Sequence, residues 1–236
     1  SFAKLLEYYC GKELFEQVEN KFIELGKVVG SELEELALSA DKNPPKLKKR
    51  SRVGELSNDI EKHPDFIKIE KFAFEKFGLA AMSHKHGVFG MQQPLPPIVK
   101  YGLTFLFVQS EFGLCCPLSM TDSLTRTLTK FGDKKLIEKF FDQLTSQDLD
   151  HLFQGAMFMT EQHAGSDVGS IDTYAECEDG NWFLTGDKWF CSNPDADLAM
   201  VLARHNKTIS GTKGLALFLL PKKLENGNQN NYEIIR

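Results

Sequence analysis

Residues 154–167 read QGAMFMTEQHAGSD, and they mark the point at which the character of the chain changes. The first part, around Met157 and Phe158, is apolar enough to form a buried strand. The second part is short and polar, and its Gly165 leaves room for the backbone to approach a ligand closely. Taken alone, 164–167 fits a simple turn or a helix cap equally well, so a second signal is needed to interpret it.

Residues 186–193, GDKWFCSN, supply that second signal. Together with 160–167 they resemble the paired signatures of the acyl-CoA dehydrogenase flavoproteins. The chain departs from the family pattern at Gln162 and His163, where the family has Pro-Gly, and at Ser192, where it has Thr. These departures resemble the AidB-type, alkylation-response branch of the family. Three upstream runs strengthen that resemblance: NPPKL at 43–47, RVG at 52–54 and EKHP at 61–64.

The resemblance implies an α+β fold with two domains. Residues 1–153 form an N-terminal α-helical domain, and residues 154–236 form an antiparallel, barrel- or sandwich-like middle β-domain whose C-terminal end is missing. In the family a C-terminal helical bundle follows and carries the catalytic base. We expect that bundle to be absent here, so no residue is assigned as catalytic and the fragment is expected to be inactive. We expect Glu161 to orient its loop by accepting backbone N–H groups.

The same resemblance implies FAD as the cofactor and assigns residues to it. Ser166 faces both the cofactor and the acyl-CoA, where a hydroxyl can donate a hydrogen bond without adding charge. Phe190 gives an aromatic contact beside the flavin ring. Met120, with its neighbours Ser119 and Thr121, is a candidate for the acyl pocket, although core packing explains it equally well. The full set of cofactor positions is Met157, Met159, Thr160, Gly165, Ser166, Phe190 and Ser192.

The implied activity is the α,β-dehydrogenation of an acyl-CoA thioester, in which a base removes a proton and flavin accepts a hydride. The implied partners are the acyl-CoA substrate, electron-transfer flavoprotein or another acceptor, and further copies of the full-length protein in a homo-oligomer. An acyl-CoA oxidase remains possible within the same fold. The alternative is an alkylation-response flavoprotein that binds or protects nucleic acid through the basic cluster 46–52, which is more often a solvated loop.

Composition limits the remaining choices. The 28 basic and 33 acidic residues give a net charge of −5, which excludes a chain-wide surface for nucleic acid but not a local patch. Five cysteines without a CxxC pair indicate free thiols in a reducing compartment. No apolar run is long enough to span a membrane, so a cytoplasmic location is expected. His84 and His86 lack helical metal-ligand spacing, and no metal site is expected.

Periodicity predicts the order of elements along the chain. Ser31 and Glu34 have the spacing of a capping box and predict the start of a second helix. Asp179-Gly180 predicts a hairpin turn between two strands. Alternation along a strand at 188–192 would place Phe190 opposite Trp189. The predicted helices are 12–29, 31–40, one beginning at Pro64, 98–112, 116–131 and 133–144. The predicted strands after residue 154 are 170–178, 181–185, 188–192, 198–203, 215–220 and 232–235.

Overall fold

A computed structural model describes residues 1–235. The chain divides into two compact units, one formed by residues 1–153 with 233–235, and one formed by 154–232. The first unit is mainly helical and the second contains a five-stranded sheet, so the predicted change from helices to strands is confirmed. Within the described residues, no helix combines the length and apolar character needed to cross a membrane.

The helical unit contains seven α-helices and one hairpin in its described part. The helices are α1 (Phe2–Cys10), α2 (Lys12–Val28), α3 (Glu34–Lys42), α4 (Pro64–Glu70), α5 (Pro97–Phe107), α6 (Cys115–Phe131) and α7 (Lys134–Leu144), and the hairpin strands are β1 (Lys46–Arg50) and β2 (Leu56–Glu61). Helix α2 buries Val18, Phe22 and Leu25, as its apolar spacing predicts. Helix α5 lies close to α1 and α2 at Gly102, because an added Cβ there would come within 2.8 Å of Leu6 and 2.9 Å of Phe22.

The predicted break between α2 and α3 is absent. A π-helical turn, Val29–Leu33, joins the two helices without interruption. Ser31 therefore does not cap a helix, and its hydroxyl instead donates to the carbonyl oxygen of Lys27 at 2.7 Å. The capping-box prediction was wrong because Val29 and Leu33 are both buried, which keeps the apolar face continuous across the proposed break.

The basic cluster also differs from its prediction as a loop. Residues Lys46–Arg50 form strand β1, which pairs antiparallel with β2 through Lys46 opposite Glu61. Lys48 forms an ion pair with Glu61 at 3.0 Å. Lys49 forms one with Glu233 at 3.6 Å. One carboxylate on β2 and one near the end of the chain thus pair with a strand whose residues are mostly exposed.

The β-unit is a mixed sheet built around one central strand. Its strands are β3 (Gly155–Phe158), β4 (Tyr174–Glu178), β5 (Asn181–Thr185), β6 (Leu198–Arg204) and β7 (Leu215–Pro221). Strand β6 pairs parallel with β3 and β4 and antiparallel with β7, so the sheet is not wholly antiparallel as expected. The hairpin prediction is confirmed, since Asp179 and Gly180 connect β4 to β5 with φ values of 50° and 80°.

Two predicted strands, 188–192 and 232–235, are not strands in the structure, and β4 begins only at Tyr174. In the first, Phe190 has a φ of 53°, which a regular strand does not allow. The backbone N–H of Trp189 donates to the carbonyl of Thr160 at 2.8 Å, so this segment bonds to the motif loop and not to the sheet edge. The predicted alternation of Phe190 and Trp189 on opposite strand faces is therefore wrong.

Candidate functional site

Glu161 is the centre of the first motif. It follows strand β3 and closes a tight turn in which Glu161 and Ala164 exchange backbone hydrogen bonds of 2.9 and 3.1 Å. Its buried carboxylate accepts from the backbone N–H groups of Asp172 and Thr173 at 2.7 and 3.0 Å and from the Thr173 hydroxyl. It also accepts from the ammonium of Lys188 at 2.7 Å. The expectation that Glu161 orients its loop is confirmed.

These contacts determine the charge of Glu161. Burial raises the pKa of the carboxyl group. The hydrogen bonds from Lys188, Thr173 and the two backbone N–H groups lower it by more, so the pKa falls from an ordinary 4.5 to about 2. The carboxylate is therefore ionised at neutral pH. A group so weakly basic is poorly suited to abstract a proton, which agrees with a structural role.

We expect this depressed pKa to give the β-unit a specific acid sensitivity. Because the folded pKa of Glu161 is about 2 and the unfolded value about 4.5, its stabilisation is fully present above pH 4.5 and is lost as pH falls towards 2. The loss amounts to about 3 kcal/mol in the free energy of unfolding. Urea unfolding between pH 6 and pH 2.5, compared with Glu161→Gln, measures it. An unchanged pH dependence in that variant would contradict the assignment.

Lys188 joins the second motif to the first. Its ammonium pairs with Glu161 and also donates to the carbonyl of Met159 at 3.1 Å. Only 8% of the Lys188 side chain and 4% of the Glu161 side chain are exposed, so the pair is shielded from water. The next residue, Trp189, donates its backbone N–H to Thr160. Two motifs separated in sequence therefore form one site.

Gly186 allows this close approach. Its φ is 148°, and an added Cβ would lie 2.5 Å from Oγ1 and 2.7 Å from Cα of Thr173. Thr173 is the residue that donates twice to Glu161. The glycine at the start of the second motif is thus required by the packing that holds the first.

The residues assigned to FAD all lie in the β-unit. Met157 lies on β3 and is half-buried, as is Thr160, while Gly165, Ser166 and Ser192 are exposed. The apolar side chains of Met159 and Phe190 are 40% and 87% exposed. In the part of the chain that the structure describes, the hydroxyls of Thr160, Ser166 and Ser192 have no hydrogen-bond partner. Free hydroxyls beside exposed apolar groups fit a ligand that combines a ring system with phosphate and hydroxyl oxygens, as FAD does.

Asp167 has the capping role that the sequence of this loop also allowed. Its carboxylate caps the short 3₁₀ turn Val168–Ser170 by accepting from the N–H of Gly169 at 3.1 Å. Its carbonyl accepts from the hydroxyl of Ser170. Asp167 is therefore part of the loop's own structure, while the preceding Ser166 remains accessible.

The candidate acyl-pocket residues differ in accessibility. All three lie on helix α6 of the helical unit. Ser119 is exposed and Met120 half-buried, whereas Thr121 is fully buried and donates its hydroxyl to the carbonyl of Pro117 at 2.7 Å. Thr121 is therefore part of the internal packing of the unit. Ser119 and Met120 remain accessible to a ligand.

Sequence reasoning missed a buried charge cluster in the helical unit. Asp122 accepts from Lys100 Nζ at 2.7 Å and is 2.8 Å from Nε2 of His84, and all three side chains are at most 8% exposed. Burial raises the pKa of Asp122, but His84 and Lys100 lower it by more. A lysine inside the apolar face of α5, next to Val99 and near Leu103, is the sequence signal that could have indicated a buried partner.

One group of side chains has the spacing of metal ligands. Ligand atoms of Glu161, His163 and Asp172 lie within 4.8 Å of one another. However, Glu161 already holds Lys188, and His163 lies 3.2 Å from a carboxylate oxygen of Asp172. The carboxylate oxygens of Glu161 already accept from Lys188, from the Thr173 hydroxyl and from the N–H of Asp172, so contacts within the protein account for this group.

Comparison with known proteins agrees with the two motifs. Residues 3–151 match the family model for the adaptive response protein AidB N-terminal domain, and residues 156–231 match that for the acyl-CoA dehydrogenase middle domain. The chain therefore belongs to the acyl-CoA dehydrogenase family, in the branch that carries the AidB-type N-terminal domain. The resemblance drawn from the sequence is confirmed.

Individual relatives support this membership. The chain is 32% identical to acyl-CoA dehydrogenase family member 11 of Caenorhabditis elegans over 220 residues, which are 89% of this chain and 35% of the relative. It is 29% identical over 231 residues to the putative acyl-CoA dehydrogenase AidB of Escherichia coli K12, covering 90% of this chain and 39% of that protein. The crystal structure of Caenorhabditis elegans ACDH-11 in complex with C11-CoA matches all of this chain, and 40% of its own, with a TM-score of 0.85 and 29% identity. The chain thus spans well under half of each of these proteins.

Proposed function

We propose that the protein to which this chain belongs is an FAD-dependent acyl-CoA dehydrogenase. The observation that carries the proposal is the buried Glu161–Lys188 pair, which holds both family motifs together. It leaves Ser166, Phe190 and Ser192 accessible on the β-unit. An acyl-CoA substrate is supported by the related ACDH-11 structure, whose ligand is C11-CoA.

Each part of the site has a distinct role in this proposal. Bound FAD supplies the hydride acceptor of the reaction. The hydroxyls of Thr160 and Ser166 donate hydrogen bonds to oxygen atoms of the cofactor, and Phe190 contacts its ring system. Met120 contributes an apolar surface for the acyl chain. Glu161 moves no proton, since it is held as an anion by Lys188.

The catalytic base and the partners are a further part of the proposal, because this chain spans only 35% of acyl-CoA dehydrogenase family member 11. We place the base that accepts the α-proton in a helical region outside this chain, and we expect the chain alone to be inactive. Electron-transfer flavoprotein or a similar acceptor, a homo-oligomeric assembly and a cytoplasmic location belong to the same proposal. The last is supported by the cysteines, which are free thiols.

Nucleic-acid binding receives less support from the structure. In the basic hairpin, Lys48 and Lys49 are already paired with carboxylates, and the guanidinium of Arg50 donates to the carbonyl of Gly54 at 2.7 Å. Pairing within the protein reduces the charge available for phosphates. The dehydrogenase therefore remains the proposed function.

Loading of the full-length protein with FAD, followed by anaerobic addition of an acyl-CoA, tests the proposal. We expect one FAD per chain and bleaching of the flavin absorbance by the substrate. Protein that stays colourless and takes up no FAD on reconstitution would refute the proposal at its first step. Protein that binds FAD but is not bleached by acyl-CoAs of any chain length would refute the dehydrogenase activity.

Ser166→Ala is expected to weaken FAD binding without unfolding the protein. The hydroxyl is exposed and has no partner among residues 1–235, so its loss removes only a bond to the ligand. We expect FAD affinity to fall by roughly 0.5–1.5 kcal/mol. Fluorescence titration of FAD into the full-length apoprotein measures this, with Ser210→Ala, another exposed serine without a side-chain cap bond, as the control. Equal affinity in both variants would count against the assignment.

Phe190→Ala is expected to change the flavin and not the fold. Because the ring is 87% exposed, its removal leaves no cavity, and the free energy of unfolding of the apoprotein should change by less than about 0.5 kcal/mol. The affinity for FAD should fall and the flavin absorbance spectrum should shift. Phe131→Ala, which shortens a 74% exposed ring on α6, is the control. A large loss of apoprotein stability would contradict the observed exposure.

A further inference from the structure

The helical unit contains an open cleft, lined by several polar side chains, that the proposed function does not use. It lies between the loop that precedes α5 and the end of α7, and it has a volume of about 770 Å³. Pockets of this size hold small organic molecules. Its charged lining consists of His84, Lys85, His86 and Asp142, and its neutral lining includes Gln92 and Gln93.

The positive charge of Lys85 in this cleft is only partly balanced by a nearby carboxylate. It is half-buried, and within the described chain it forms no ion pair. Burial lowers the pKa of its ammonium group, and the carboxylate of Asp142 offsets this only in part. A partly desolvated ammonium whose charge is incompletely balanced is stabilised by an anion that enters the cleft.

His84 is held in a fixed orientation beside Lys85. Its Nε2 lies 2.8 Å from Oδ1 of Asp122, whose other oxygen accepts from Lys100 at 2.7 Å. The buried carboxylate is thus already neutralised by Lys100. Nδ1 of His84 has no partner among the described residues, and the ring forms part of the cleft wall. The imidazole can therefore offer Nδ1 to a ligand without rearrangement.

We propose that this cleft binds a small phosphate-bearing metabolite, with Lys85 as its counter-ion and His84 and His86 as hydrogen-bond partners of the phosphate. A phosphate accepts from several separate donors and, as a monoanion, also donates from its P–OH group, which suits the ammonium of Lys85, a ring N–H of His86 and the acceptor Nδ1 of His84. A carboxylate is instead matched by the planar fork of an arginine, and no arginine lines the cleft in the described residues. The volume exceeds that of phosphate alone, so an organic portion lies near Gln92, Gln93 and Asp142.

Isothermal titration calorimetry on the full-length protein at constant ionic strength tests this inference, with inorganic phosphate, glycerol 3-phosphate and acetate as probes. We expect saturable binding of both phosphates, tighter for the ester, and none of acetate. Lys85→Met should weaken phosphate binding at least about tenfold, because a charged hydrogen-bond partner is lost. Lys134→Met is the matched control, since that lysine is 88% exposed and pairs only with Glu138 across one turn.

The outcomes separate this inference from the proposed function. FAD content should be the same in all variants, which also shows that each is folded. Asp142→Asn should tighten phosphate binding, because Asp142 is the acidic side chain that lines the cleft among the residues the structure describes. Absence of saturable phosphate binding by the wild type, equal weakening by Lys85→Met and Lys134→Met, or acetate binding as tight as phosphate would each overturn the inference.

Discussion

Lys188→Met is expected to lower the free energy of unfolding of the β-unit by about 3–5 kcal/mol. The substitution keeps the aliphatic stem but leaves Glu161 as a buried charge without its cation. The side chains of this pair are 8% and 4% exposed, so water cannot replace the lost ammonium without opening the loop. Because Lys188 also bonds the carbonyl of Met159, the two motifs should separate, and FAD binding should be lost with them.

The matched control for this variant is Lys207→Met. Lys207 belongs to the same unit and pairs with Glu176 at 2.9 Å, but the two side chains are 60% and 52% exposed. Exposed pairs of this kind contribute at most about 1 kcal/mol. Urea unfolding of both full-length variants, followed by tryptophan fluorescence, gives the comparison. If the two substitutions cost the same, the buried pair is not what joins the motifs.

Gly186→Ala is the second substitution expected to have a large effect. A Cβ at this position would lie 2.7 Å from Cα of Thr173. Because this neighbour is a backbone atom and not the end of a flexible side chain, a change of rotamer cannot relieve the contact. Displacement of Thr173 weakens two of the bonds that hold Glu161. With the added backbone strain at a φ of 148°, we expect a loss of at least about 3 kcal/mol.

Gly227→Ala is the control that separates the effect of backbone strain from that of the close contact with Thr173. Gly227 lies in the same unit with a φ of 83°, and a Cβ there would meet nothing within 4 Å. Its substitution should therefore cost only the backbone strain, about 1–2 kcal/mol. Thermal unfolding and FAD titration of both variants measure the difference. A Gly186→Ala protein as stable as Gly227→Ala would show that the packing against Thr173 is not tight.

The pattern of apolar residues along the sequence predicted those helices and strands whose side chains are buried in the interior of their unit. Helix α2 was predictable because its apolar residues recur at helical spacing and are the residues that it buries. Strand β3 was predictable because its apolar run is largely buried. The hairpin at Asp179-Gly180 was predictable for a different reason, since its backbone conformation restricts the residue types. The role of Glu161 could be expected because a buried carboxylate needs donors, and a folded loop supplies them.

The failures share a physical cause, which is that distant partners override local pattern. At 188–192 the sequence alternates like a strand, but Lys188 is bound to Glu161, 27 residues earlier. Lys100 inside the apolar face of α5 indicates that a buried partner exists, but Asp122 lies on a different helix, so the local sequence does not identify that partner. The basic strand β1 was read as a loop because its stabilising carboxylates lie on β2 and near the end of the chain.

In the proposed function, residues of both motifs contact one FAD on an intact β-unit. Two measurements on the full-length double variant Ser166→Ala/Phe190→Ala test this: the dissociation constant of FAD and the melting temperature of the apoprotein. One residue comes from each motif, and both are exposed, so the melting temperature should stay at the wild-type value. The dissociation constant should rise by more than in either single variant. Wild-type FAD affinity in the double variant would contradict the claim.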